Sequence, residues 1–424
     1  MTIPSFIPDK SDESALRHFF FNRFSTFESL QFRDFRWHWL GSFFAFMAMN
    51  MLMITRGWLI LKMTDDSPLA LAMVMMSFAL PLSVGALIGG VLADRIPRKS
   101  MIAFTQSGNA LLTLLLAILD DTGLIRYWHL LAIGFFNGTM VAFNFPSRQA
   151  IISDLVPEES VMNGVALNNS GLNLGRVGGP AIAGVLIIYM GTAGVFYLIT
   201  GIWAFAALST LMIRSAEKPS SSSKKSLAGD IRDGFSYALH NPILLGLVIM
   251  TFIPSLFGFS YFALLPVWAR EALNVHSDGL GMLLMVMGMG SLVGTLILAS
   301  MDRFRRRGAL LLVNSILWGA SLTLFSQATS YAFALPFLFL TGLLSAVYMS
   351  LNMTLMQIYA EPEMRGRIIS LGIMTFGMMP LSALPFGAIA ENIGTPNALS
   401  LSGVLLVVFT VIFTFVYPRF RKIA

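Results

Sequence analysis

Long apolar runs separated by short charged breaks fill most of this chain. They predict twelve membrane spans, at 37–62, 68–93, 100–119, 127–153, 160–187, 192–213, 242–270, 279–301, 308–326, 331–358, 366–390 and 396–417. The runs are about 20 residues or longer and continuous rather than alternating, the pattern of spanning α-helices and not of barrel strands. Ahead of them, residues 18–36 mix Phe19, Phe20, Phe21, Phe24, Phe27, Phe32 and Phe35 with Arg23, Arg33 and Arg36. That mixture suits either a helix lying in the membrane interface or an ordinary lead-in to the first span. The longest polar break, 214–241, separates six spans from six. The expected organisation is therefore a tail (1–36), a six-helix bundle (37–213), a central loop (214–241), a second six-helix bundle (242–417) and a basic tail (418–424).

The breaks repeat. Asp94-Arg95 recurs 208 residues later as Asp302-Arg303, and the same offset places Gln149 on Gln357, each shortly before a Pro-Glu turn (Pro157-Glu158 and Pro362-Glu363). Such coincidences at one spacing point to a duplicated six-helix unit, an architecture typical of secondary transporters. Basic residues orient it. With both termini in the cytoplasm, 22 Lys and Arg fall on the inner side and only Lys62, Arg126 and Arg270 on the outer. That bias follows the positive-inside rule.

Composition then narrows the class. The chain is 56% hydrophobic and 12% charged, with a mean hydropathy of +0.73. Soluble domains carry about 25% charged residues, so the partner implied is the lipid bilayer of a cell inner membrane. The net charge of +6 reflects basic loops and not a nucleic-acid surface. There is no Cys, and the five His are scattered without an H-E-x-x-H set. No GxxxxGK[ST] loop is present to use ATP. The reading is not an enzyme, with no cofactor, no metal, no cleavable signal peptide, a monomeric state and an ion gradient as energy source.

The stretch GVLADRIPRKSMI, Gly90 to Ile102, carries a resemblance. It is similar to the loop 2–3 signature of the major facilitator superfamily, G-x-L-A-D-R-x-G-R-K-x-x-L. Gly90, Leu92, Ala93, Asp94, Arg95, Arg98 and Lys99 match, Ile102 stands for Leu, and Pro97 departs from the usual Gly. RGWLILKMTDDSPLALA and FPSRQAIISDLVPEE resemble the bacterial branch that includes enterobactin-type and macrolide exporters. The resemblance implies an all-α membrane fold of twelve helices in two pseudo-symmetric bundles around one cavity. It also implies that Asp94 docks against the start of span 11, where Gly366 is flanked by Arg365 and Arg367, as a cytoplasmic latch. Arg95, Arg98 and Lys99 belong to the same gating stretch or simply fix topology. On span 5, Gly175, Gly179, Pro180 and Gly184 fit the G-x-x-x-G-P-x-x-G-G motif of drug–proton antiporters, with Ala183 for one Gly. Close packing of small residues is the plainer account of that stretch.

Charge inside a membrane is costly and marks function by default. All 22 acids fall in tails, loops or span ends, whereas Arg56, Arg148 and Arg176 lie within spans. Arg56 and Arg176 are candidates for holding an anionic or carbonyl-rich substrate, with backbone satisfaction as the alternative. Arg148 is expected in a structural network with Asp154 or Glu158. Polar residues recur at helical spacing as Asn137, Asn144 and Arg148, as Asn169, Asn173 and Arg176, and as Ser345, Tyr348 and Asn352. Asn50, Asn137, Asn144, Tyr348 and Asn352 are the expected cavity lining. The 27 Met residues are expected to fill the core.

The expected function is export of an amphipathic small molecule, such as a drug, macrolide or siderophore-like compound, by alternating access against an inward flow of protons. The alternatives are an importer, a lysophospholipid-type translocator, or a transporter-like sensor that binds without moving its ligand.

Overall fold

Inside a bilayer the backbone has no water to bond, so a chain this apolar satisfies its N–H and C=O groups within helices. The computed structural model describes residues 25–93, 96–214, 236–300, 306–361, 364, 368 and 379–423. Among them every regular element is helical. A 3-10 turn, Ser25–Gln31, leads into α1 (Arg33–Met63), α2 (Pro68–Ala93), α3 (Arg98–Asp121) and α4 (Tyr127–Ala150). After a short helix, Ile152–Leu155, comes α5 (Val161–Leu211). Then follow α6 (Pro242–Phe257), α7 (Ser260–Leu273), α8 (Ser277–Ser300), α9 (Arg307–Ser326), α10 (Tyr331–Tyr359), α11 (Met379–Ile393) and α12 (Thr395–Val416). The chain is a multi-pass membrane protein. Nine helical stretches among the described residues are long and apolar enough to cross a bilayer.

Three spans differ in detail from the pattern read in the sequence. Spans 5 and 6 run together in α5, separated only at Gly191, where φ is 67° and ψ 179°. That left-handed backbone, open to glycine and strained for other residues, reverses the chain without a loop. Span 7 is instead split into α6 and α7 at Gly258 and Phe259. A Cβ on Gly258 would lie 2.9 Å from both the Pro254 carbonyl oxygen and the Trp318 ring, so the split needs a residue without one.

α1 packs along α5, α2 along α4, and α3 between α4 and α5. In the second half α8 packs on α10, and α9 on α10 and α12, while α11 sits against α12. The halves meet where α5 touches α8 and where α2 touches α11 and α7. The described chain begins at Ser25 and ends at Ile423 at one end of the bundle, called proximal below. The distal end carries the α1–α2, α3–α4, α7–α8, α9–α10 and α11–α12 turns. Seven acids (Asp65, Asp66, Asp120, Asp121, Glu271, Asp278 and Glu391) gather at the distal end against Lys62, Arg126 and Arg270.

At the proximal end the described part of the lead-in is docked. Ser29 takes the Asn163 side chain at its N–H (2.9 Å) and donates its hydroxyl to the Ser160 carbonyl (3.1 Å). Phe35, fully buried, packs with Ile102, Ile152, Leu155 and Ile213. Residues 1–24 lie outside the described chain.

Candidate functional site: a cleft between the halves

At the distal end the halves are clasped. Arg270 on α7 pairs with Asp66 in the α1–α2 turn at 2.5 Å and lies over the Trp58 ring, 5.2 Å from its centroid. Glu391 on α11 accepts from the Ser67 hydroxyl and, at 3.4 Å, from the Leu69 N–H, so a carboxylate of one half sits at the helix start of the other. That is the favourable end of the helix dipole for an anion. Burial pushes the Asp66 carboxyl above its ordinary range; Arg270 pulls it down and Asp65 pushes it up further. Below this rim an ideal Cβ on Gly387 would stand 2.8 Å from the Ala72 Cβ. The backbones of α2 and α11 are therefore close.

α5 shows where the contact ends. Met162, Ala166, Asn169, Asn173, Arg176, Pro180, Gly184 and Ile187 follow one another at three- and four-residue steps and so share one face. The last three are buried, with Gly184 and the Pro180 carbonyl against Gly281 of α8. The first five are exposed, Met162 by 83%. The facing stripe of α8 behaves alike: Ser277, Gly281 and Gly288 are buried and Thr295 is exposed. Among the described residues α5 and α8 thus touch distally and part proximally, and Arg176 stands at the apex of the cleft between them.

Arg176 sits near the middle of its span, on the side opposite the outward-facing Leu174 and Val185. Among the described residues it makes no hydrogen bond and no ion pair. Tyr261, buried at the start of α7, lies close enough to feel its charge. Pro180, four residues on, removes the helical donor for the Arg176 carbonyl.

The other candidate residues are placed differently. Arg56 is buried inside the first half, donating to Asn137 (2.8 Å), which in turn donates to Asn109 (2.9 Å). Asn144 donates to Thr105 (2.7 Å), and Arg148 bonds Ser42 (3.1 Å) and Asn144 (3.4 Å) beneath the Phe46 ring. The acid expected for Arg148 is engaged elsewhere: Asp154 pairs with Arg98 at 2.8 Å. Tyr348 donates to the Met250 carbonyl and Asn352 to Thr251 (2.7 Å), both buried in the second half. Asn144 and Asn352 stand 208 residues apart, but their partners are not equivalent: Asn144 ties α4 to α3, and Asn352 ties α10 to α6. These residues therefore knit helices within each half and do not face the cleft. Asn50, half-buried, donates to the Phe46 carbonyl and packs on Gly179.

The span 5 motif divides its work. Cβ atoms on Gly175 and Gly179 would stand 3.0 Å from the Met47 backbone of α1, whereas Gly184 faces α8. In the gating stretch, Arg98 bonds the Ala150 carbonyl and Lys99 the Ile213 carbonyl, both within the first half. Gly90 belongs to α2. Asp94, Arg95, Arg365 and Gly366 lie outside the described residues. The distal clasp was missed in the sequence. Its signal was there in Arg270, one of three basic residues on a side rich in acids.

An all-helical membrane chain with a cleft between α5 and α8 invites comparison with known transporters. The family model for transmembrane secretion effectors matches residues 24–422. The chain belongs to that family of the major facilitator superfamily. It is similar to the staphyloferrin A transporter of Staphylococcus aureus (24% identical over 388 residues, 90% of this chain and 96% of that one). It is also similar to the multidrug efflux pump Tap of Mycolicibacterium fortuitum (26% over 381 residues, 86% and 91%). The enterobactin exporter EntS of Shigella flexneri is 29% identical over 291 residues, 67% of each chain. Among solved structures, a bacterial homologue of the human lysosomal transporter Spinster, inward-facing and unoccupied, superposes with a TM-score of 0.73 at 14% identity, covering 92% of this chain and 97% of that one. A POT family transporter in complex with 5-aminolevulinic acid gives 0.76 at 13% identity, with the same coverage. These structures establish the major facilitator fold, all-α and membrane-embedded.

Proposed function

We propose that this secretion effector is a secondary exporter of amphipathic small molecules, working by alternating access and driven by an inward flow of protons. The observation that carries the reading is the α5 face, buried against α8 up to Pro180 and open from Arg176 to Met162. Such a cleft receives cargo from the side on which it opens. The Lys and Arg bias puts the proximal end, with both termini, in the cytoplasm. The open side then faces the compartment from which an exporter loads. The siderophore and drug exporters among the relatives support the direction.

In this cycle the distal clasp of Asp66, Arg270, Ser67 and Glu391 must part for release, while the proximal ends close. The resemblance gives Asp94, with Arg95, to that closure, against the start of span 11 at Arg365 and Gly366. Arg98 and Lys99 brace the first half on which Asp94 is carried. Protons are the coupling ion that the antiporter-like span 5 motif favours.

Inside-out vesicles with an imposed pH gradient test the proposal. A panel of amphipathic drugs and siderophore-like compounds is expected to accumulate, with accumulation collapsing when the gradient is dissipated. Accumulation indifferent to the gradient would remove proton coupling. Gradient-dependent movement in the opposite direction would make the protein an importer.

A further inference from the structure

Arg176 is a cation near the middle of a membrane span with no counter-charge among the described residues. Burying a charge in a bilayer is costly, and proteins normally offset it with a partner. Arg56 and Arg148 have theirs, in Asn137 and in Ser42 with Asn144. Arg176 has none among the described residues, and no acid of the whole sequence lies within a span to supply one. It is also the member of the three that is exposed, on the cleft face and opposite the lipid-facing side of α5. Asn169 and Asn173 are exposed on the same face, one and two turns nearer the open end.

We propose that Arg176, with Asn173 and Asn169, forms a subsite for the oxyanion of an amphipathic cargo, a carboxylate or a comparable acidic headgroup joined to an apolar body. The guanidinium offers a forked pair of donors matched to a planar oxyanion. The amides of Asn169 and Asn173 supply further donors along the way in. The apolar body extends from there along the open face of α5 toward Ala166. This deepens the exporter reading and rests on it only for direction, because binding is a property of the cleft itself. The same headgroup chemistry could come from a soluble organic acid or from an anionic lysolipid entering from the bilayer.

The test uses purified full-length protein in a neutral detergent, titrated with dansyl-phenylalanine and with its methyl ester. The two probes share an apolar body and differ in one negative charge. The wild-type chain is expected to bind the acid at least about tenfold tighter than the ester. Arg176→Gln should bring the acid down to the affinity of the ester while leaving the ester unchanged, which also shows that the variant is folded. Arg176→Lys should keep part of the preference, and Asn173→Ala should weaken it by a smaller factor. Equal binding of acid and ester by the wild type overturns the proposal without any variant. Retention of the full preference in Arg176→Gln overturns it as well. Competition identifies the source. Displacement of the acid by lysophosphatidylglycerol and not by lysophosphatidylcholine adds a lipid acid to the cargo class, and displacement by neither confines the site to soluble acids. Failure of vesicle export with the acid preference intact would count against the exporter reading alone.

Discussion

Three arginines lie within spans, and their fates differ because of what neighbouring helices bring to them. Arg148 is held by Ser42 and Asn144 under the Phe46 ring, and Asn144 is held in turn by Thr105. Removing one member strands its partner as an unsatisfied buried group, at about 1–3 kcal/mol. Asn144→Ala and Arg148→Met are each expected to lower thermal stability in detergent, followed by Trp fluorescence. The double variant should lose less than the sum, since the stranding is then counted once. Arg176→Gln strands nothing and should shift stability by no more than about 0.5 kcal/mol. Strict additivity in the pair, or a large loss in Arg176→Gln, would contradict this division. The sequence could not make it. Arg56, Arg148 and Arg176 each read as one cation in an apolar run, and the amide that occupies Arg56 comes from position 137, 81 residues away.

Hydropathy made the helices legible because a bilayer leaves the backbone no alternative to helix. Span 2 was drawn at 68–93 and α2 runs Pro68–Ala93. The exceptions are the elements whose shape depends on tertiary contact. Gly258 looks like any glycine until Trp318 is found against it, and Gly191 gives no sign in the sequence that it alone will turn α5 back. The distal contact of α2 with α11 can be tested directly, since the chain has no Cys of its own. A disulfide needs Cβ atoms about 3.5–4.5 Å apart, and the Ala72 and Gly387 positions are slightly closer than that. The pair Ala72→Cys and Gly387→Cys is expected to cross-link under mild oxidant, to arrest transport, and to recover on reduction. Full transport by the cross-linked protein would show that the distal ends need not separate.

At the scale of the whole molecule, the duplication visible as Asp94-Arg95 and Asp302-Arg303 also sets Asn144 and Asn352 one offset apart, each tying two helices within its own half, although the helix pairs differ. The repeat thus builds the two frames, and the functional asymmetry lies between them. Among the described residues, the unpaired cation on the cleft face, Arg176, comes from the first half. What the sequence could not convey was the state of the junction, because a face that is buried in one state and open in another has the same residues in both.

The seven acids at the distal end have one more consequence for a cargo that carries negative charge. A charged mouth shapes the rate at which ions return to it. On the exporter reading, an anion released past Asp65, Asp66, Glu271 and Glu391 meets a repelling mouth, which lowers its rate of re-binding from the distal side. Salt at the distal side should weaken that repulsion, because the Debye length falls from about 30 Å at 0.01 M to about 10 Å at 0.1 M. Counterflow of an acidic cargo from the distal side is therefore expected to rise with ionic strength, while that of its neutral ester stays flat.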